Sequence, residues 1–117
     1  MSNSFTGAGN LGDTPTLKRV SVDGGTEPVL ELSIYFDRPV PGANDGEWDD
    51  KGGFWLNAEL WGARAEKLAR LLRKGARVRV EGQLVYEKWK SKDGEEKTGF
   101  RLKLDWLALY PIRIEEV

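Results

Sequence analysis

From Phe54 to Trp61 apolar and polar residues alternate with a period of two. Phe54, Leu56, Ala58 and Leu60 share one face, and Trp55, Asn57, Glu59 and Trp61 share the other. That period predicts a half-buried strand, with the aliphatic set inward because it has no polar member. Trp55 and Trp61 are left on the outer side. The same period runs through residues 29–36, where Leu30, Leu32 and Ile34 alternate with Glu31 and Ser33. It returns in the last strand, where Phe100, Leu102, Leu104 and Trp106 alternate with Arg101, Lys103 and Asp105, so Trp106 is assigned to the core. Val78 and Val80 alternate with Arg77, Arg79 and Glu81 ahead of Gly82, and a glycine inside a strand marks a bulge or sharp bend. A glycine-bent first strand within residues 1–12 brings the total to about five.

One segment switches to the helical period. Ala65, Leu68, Ala69 and Leu72 recur at i, i+3, i+4 and i+7, the apolar stripe of a helix of about three turns. Arg70, Arg73 and Lys74 lie toward its C-terminus, where the dipole favours cations, and Gly75 is the expected residue just past its end. Turns are predicted at Asp13-Thr14-Pro15 and Asp23-Gly24-Gly25, and a hairpin tip at Lys92-Asp93-Gly94-Glu95. Residues 38–53 carry Pro39, Pro41, four glycines and the acidic run Asp45-Gly46-Glu47-Trp48-Asp49-Asp50, which predicts a flexible loop. The economical architecture is all-β with one short helix: a five-stranded antiparallel barrel, helix between strands 3 and 4, because closure hides strand edges. At 117 residues the chain fits one domain, 1–117, with a short C-terminal tail at 111–117.

Composition removes function classes more than it adds them. With no histidine and no cysteine, the Ser-His and Cys-His nucleophile systems are excluded, as are zinc sites built on those ligands. No Gly-x-x-x-x-Gly-Lys-Ser/Thr loop occurs, and no metal, cofactor or catalysis is expected. The N-terminus shows no signal-peptide pattern and no stretch approaches a membrane span, so a cytoplasmic protein is expected. The net charge of −1 hides a division. Between Arg64 and Lys103 there are 13 Lys and Arg against 6 Asp and Glu, while the remainder holds 5 against 13. A basic half can present a positive face on a nearly neutral molecule.

Aromatic faces beside cations suit unpaired nucleic acid, since every base offers a π-face and the phosphate chain attracts positive charge. Trp89, flanked by Lys88 and Lys90 ahead of a polar hairpin, joins Trp55 and Trp61 as an exposed aromatic. Trp48 sits among carboxylates that repel phosphate and is left out.

The residues that order these elements resemble the bacterial-type single-stranded DNA-binding proteins. They are Gly9-Asn10-Leu11-Gly12-Asp13 with Pro15; Phe54-Trp55 through Leu60-Trp61-Gly62; Ala65-Glu66 with Leu71-Leu72-Arg73-Lys74-Gly75; Val78-Arg79-Val80-Glu81-Gly82-Gln83-Leu84; and Lys88-Trp89 before Asp93-Gly94. The resemblance implies a five-stranded OB-fold barrel, non-catalytic binding of single-stranded DNA, and dimers or tetramers. It implies base stacking on Trp55, Trp61 and Trp89 and phosphate contacts from Lys18, Arg73, Lys74 and Lys88; charge and strand parity add Arg79, Lys90 and Lys103. It also implies DNA over RNA, association with the nucleoid, and a role in replication, repair, recombination or DNA transfer. Relatives of the housekeeping kind carry a long Gly/Pro/Gln-rich tail with an acidic tip. This sequence ends at Ile112-Arg113-Ile114-Glu115-Glu116-Val117, so tail-borne recruitment of partners is not expected. Val85 and Glu87 stand where a more basic strand would serve DNA, which suits an accessory paralogue of a plasmid, phage, mobile element or primosome. The competing reading is a protein-interaction module on the same barrel, its tryptophans filling an oligomer interface. Sugar binding comes third, since the cation excess argues against it.

Overall fold

The computed structural model describes residues 3–111. Eight strands and one helix follow in the order β1 (Phe5–Leu11), β2 (Thr16–Val22), β3 (Gly25–Phe36), β4 (Pro39–Pro41), β5 (Trp48–Asp50), β6 (Phe54–Trp61), α1 (Ala63–Ala69), β7 (Arg77–Lys90) and β8 (Glu96–Leu109). β1 pairs with β7, β7 with β8, β8 with β6, β6 with β3, and β3 back with β1. This ring of five strands is a closed barrel, and among its members the helix falls between the third and fourth, β6 and β7. In the count of all eight strands these are numbers six and seven. The β6–β8 pairing is parallel and every other pairing in the ring is antiparallel.

Closure depends on a close approach at β1. Asn10 and Leu11 pair with Tyr35 and Ile34 of β3, and a Cβ on Gly9 would collide with the Tyr35 carbonyl oxygen. Only a residue without a side chain lets the two backbones meet there. The core inside the ring is aliphatic. Leu30, Ile34, Leu60, Val78, Val80 and Leu102 are fully buried, and Leu72 from the turn after α1 plugs the same cluster. No polar or charged residue is buried among those described.

Several expectations change. Trp106 is 40% exposed rather than core. The register shift falls between Glu81 and Gly82: Glu81 pairs with Trp106, while Gly82 pairs with Leu104. Asp105 is thus the extra residue of a bulge, so Leu104 and Leu107 both point inward and the intervening pair faces out. Phe54 lies at the barrel's end and is half-exposed, packing its ring on Phe36 (5.7 Å) and Phe5 (6.4 Å). The helix spans seven residues, about two turns, and ends at the cap Arg70. Gly75 therefore lies beyond the cap, donating its N–H to the Leu11 carbonyl instead of ending the helix. The expected loop at 38–53 carries a small hairpin, β4 against β5, tied by the Arg38 N–H and the Tyr35 hydroxyl to the Asp50 carboxylate. Strand β2 had no alternation to reveal it; nearly all of it is exposed on the edge of β3. Apart from Pro111, the expected tail lies outside the described residues.

Candidate nucleic-acid interface

One continuous outer face runs across β3, β6, β8 and β7. Paired residues of neighbouring strands point to the same side. Register places Tyr35 beside Trp55, Ser33 beside Asn57 and Glu31 beside Glu59, then Asn57 beside Arg101 and Glu59 beside Lys103. On β7 the same parity carries Val85, Glu87 and Trp89 opposite Arg101, Gly99 and Lys97. Trp55, Trp61 and Trp89 thus share a surface that two unlike segments build.

Each tryptophan is held differently. Trp55 is 57% exposed, tilted against Tyr35 with ring centroids 5.2 Å apart. Its ring overlies Gly12, where a Cβ would collide with it. Trp61 is 37% exposed, and its indole N–H donates to Glu59 at 2.9 Å. Six residue steps of strand separate the two, about 20 Å. Trp89 is half-buried, resting over Gly99, with the Arg101 guanidinium 4.9 Å from its ring centre. Between Trp55 and Trp61 lies a groove of about 250 Å³ whose walls include Glu31, Ser33, Asn57, Glu59 and Arg101. Ser33 and Asn57 can donate and accept there, while the carboxylates accept and Arg101 donates.

The cations of this face are not free. Lys103 lies between Glu59 and Glu87, 2.9 Å from the latter, and Arg101 Nε is 3.5 Å from Glu87. Lys18 pairs with Glu31. Partial burial pushes the Glu59 carboxyl up, but hydrogen bonds from Lys103 and Trp61 and the charges of Lys103 and Arg101 outweigh it, leaving it below the usual carboxylate range. Burial likewise pulls the Lys103 ammonium down, and its bonds to Glu59 and Glu87 more than reverse this. At the Trp55 end, the hydrogen bond to Asp50 holds the Tyr35 phenol above its ordinary value.

The remaining candidates sit elsewhere. Arg73 turns back to cap the helix, donating to the Ala69 and Leu72 carbonyls, and Lys74 is anchored by its N–H to Thr14. Both border a second groove, of about 340 Å³, with Leu71 and Tyr110. Arg79 is exposed on the β1–β7–β8 flank, across from Ala8 and Ala108. Lys88 and Lys90 flank Trp89 in sequence, yet strand alternation sends them to the opposite face of the hairpin. Sequence reasoning left out Arg101 and Tyr35. Arg101 has the parity of Lys103, which was the available signal; Tyr35 falls on the outer parity of β3.

A model described as "Single-strand binding protein family" matches residues 2–109. The chain belongs to the single-strand binding protein family. Among its relatives, the "Single-stranded DNA-binding protein" of Paenarthrobacter aurescens is 32% identical over 102 residues, 87% of this chain and 58% of that protein. The "Single-stranded DNA-binding protein 2" of Chlorobaculum tepidum is 33% identical over 101 residues, 86% of this chain and 66% of that one. The Mycobacterium leprae protein is 28% identical and covered to 59%, so the chain spans about three-fifths of the length of such relatives. The small single-stranded DNA-binding protein from Streptomyces coelicolor superposes with a TM-score of 0.76 at 16% identity, covering 94% of this chain and 95% of that one. A Plasmodium falciparum protein solved in complex with ssDNA gives 0.70 at 24% identity, covering 95% and 97%. At these identities the two structures establish the family barrel alone. Among the described residues no helix is long and apolar enough to cross a membrane.

Proposed function

We propose that this chain binds single-stranded DNA without sequence preference and does no bond chemistry on it. The observation that carries the proposal is the shared outer face on which Trp55, Trp61 and Trp89 stand with Arg101 and Lys103 between them. Stacking on aromatic rings tolerates any base, and cations between the rings meet the phosphate chain. Relatives named for single-stranded DNA binding support the same substrate. Trp55 and Trp61 form one end of the path and Trp89 the other, with Lys18, Lys103 and Arg101 as the candidate phosphate contacts on that face; Arg73, Lys74, Arg79, Lys88 and Lys90 stand on other surfaces and are candidates for a strand that runs beyond it. The Glu59–Lys103–Glu87 network keeps the face near neutral until phosphate competes for Lys103 and Arg101. Coating of strands in replication, repair, recombination or transfer, by a homodimer or homotetramer in the cytoplasm, is the setting this chemistry serves.

Replacing Trp55 or Trp89 by Ala tests it. Each loss of a stacked base is expected to cost about 1–3 kcal/mol of oligo(dT) affinity with the oligomer unchanged in sedimentation. A broken oligomer with unaltered affinity would instead establish the interaction-module reading.

A further inference from the structure

Beyond the barrel, β7 and β8 continue as a free two-stranded ribbon. β1 pairs with β7 only as far as Gly82, and β6 pairs with β8 only from Arg101 to Lys103. Asn3 bonds the backbone of Leu84, whose side chain packs against the core; beyond it, among the described residues, 85–90 and 96–100 have no strand on either edge, and both faces of the ribbon are at least partly open to solvent. One face is the Trp89 side already described. On the other, Tyr86 and Phe100 stand directly opposite each other, T-shaped with centroids 5.3 Å apart, and are 60% and 57% exposed. The same parity brings Lys88 and Lys90 to this side, with Thr98 and Glu96 across from them. Neither lysine forms an ion pair among the described residues, whereas Lys18, Arg101 and Lys103 on the Trp89 side are all matched by carboxylates.

A cross-strand aromatic pair stabilises a ribbon without needing solvent exposure. Two large rings left open beside two unpaired ammonium groups supply what the first face lacks, stacking surface with available positive charge. We infer that the strand bound across Trp89 passes around the β7–β8 ribbon and continues on its reverse face, with bases against Tyr86 and Phe100 and phosphates against Lys88 and Lys90. This rests on the proposed single-stranded DNA binding and extends it to a second surface of the same element. The occupant is nucleic acid because the patch is cationic as well as aromatic and is continuous, through the ribbon, with the Trp89 face.

The test compares oligo(dT) of increasing length on the wild-type chain and on Tyr86→Ala/Phe100→Ala. Short oligomers should bind both chains equally. Long ones should bind the variant about tenfold more weakly, the loss of at least one stacked base. In parallel, a long oligonucleotide carrying 5-iodouracil should photo-crosslink to peptides containing Tyr86 or Phe100. Equal affinity at every length would overturn the inference, as would an equal loss at every length, which would mean that the rings only brace Trp89. A variant that changes sedimentation but leaves long-strand affinity intact would assign the patch to a second copy of the chain. If the wild-type chain binds no oligomer at all, the proposed function fails, an outcome separate from these.

Discussion

The barrel body and the projecting ribbon are built from the same two strands, yet they obey different rules. Inside the ring, β7 and β8 bury Val78, Val80, Leu102 and Leu104 on one face and leave polar residues on the other. Past Leu84 and Arg101 the ring no longer covers either side, and aromatic and charged residues occupy both faces: Trp89 and Glu87 on one, Tyr86, Phe100 and Lys88 on the other. The body spends its alternation on stability, and the ribbon has no interior to fill. Bulk that is exposed on both faces of a ribbon is better explained by a ligand than by packing.

Breaking the body should show this most strongly. Leu102→Ala removes a fully buried side chain from the centre of the core and is expected to lower unfolding free energy by about 2–5 kcal/mol in denaturant titrations. A loss below about 1 kcal/mol would mean that the ring is not the stabilising unit. The corresponding change on the ribbon should divide the two properties. Trp89→Ala is expected to shift stability by no more than about 1 kcal/mol while weakening oligo(dT) binding roughly five- to hundredfold.

A third change sharpens the comparison electrostatically. Glu87→Gln removes one carboxylate shared by Lys103 and Arg101, so both cations become more available to phosphate. Affinity should rise severalfold at low salt, and the slope of log affinity against log salt should steepen by up to about 0.7 for each further phosphate neutralised. Unchanged affinity would remove Lys103 and Arg101 from the path.

The smallest effect is the pH response of the same network. Glu59 is held below its ordinary value, so the stability it contributes is complete above the ordinary carboxylate pKa and is lost as pH falls through the lowered one. Lys103 is raised, so its contribution is complete below the unfolded lysine pKa of about 10.4 and is lost as pH rises past the raised value. Acidification through the lowered Glu59 pKa, below the ordinary carboxylate range, should therefore lower thermal stability slightly while oligo(dT) affinity rises, because protonated Glu59 releases Lys103. Affinity that falls in step with stability would contradict this role for the network.

The same contrast explains what could be read from the chain. Alternation at Leu30, Leu32 and Ile34 and at Leu56, Ala58 and Leu60 identified core strands because the ring buries one face continuously. It failed at Trp106, where the bulge at Asp105 inverts parity, and at β2, whose exposed edge position demands no pattern. The helix came out a turn short because Leu72 reaches the core from the following turn, so the apolar stripe outruns the helix. For the candidate site, Trp55 and Trp61 could be placed on the outer face from strand parity alone. Adjacency in sequence did not reveal that Lys88 and Lys90 face away from Trp89, where strand alternation carries them. The pairing of Lys103 with Glu59 and Glu87 joins residues 44 and 16 positions apart, and only the parallel β6–β8 register and the β7–β8 hairpin bring them together.

Intrinsic tryptophan fluorescence, titrated with oligo(dT) at low and at high salt, tests the central claim most directly. Stacking on Trp55, Trp61 and Trp89 predicts strong quenching at low salt that is lost steeply as salt rises. Absence of quenching at low salt would contradict the account.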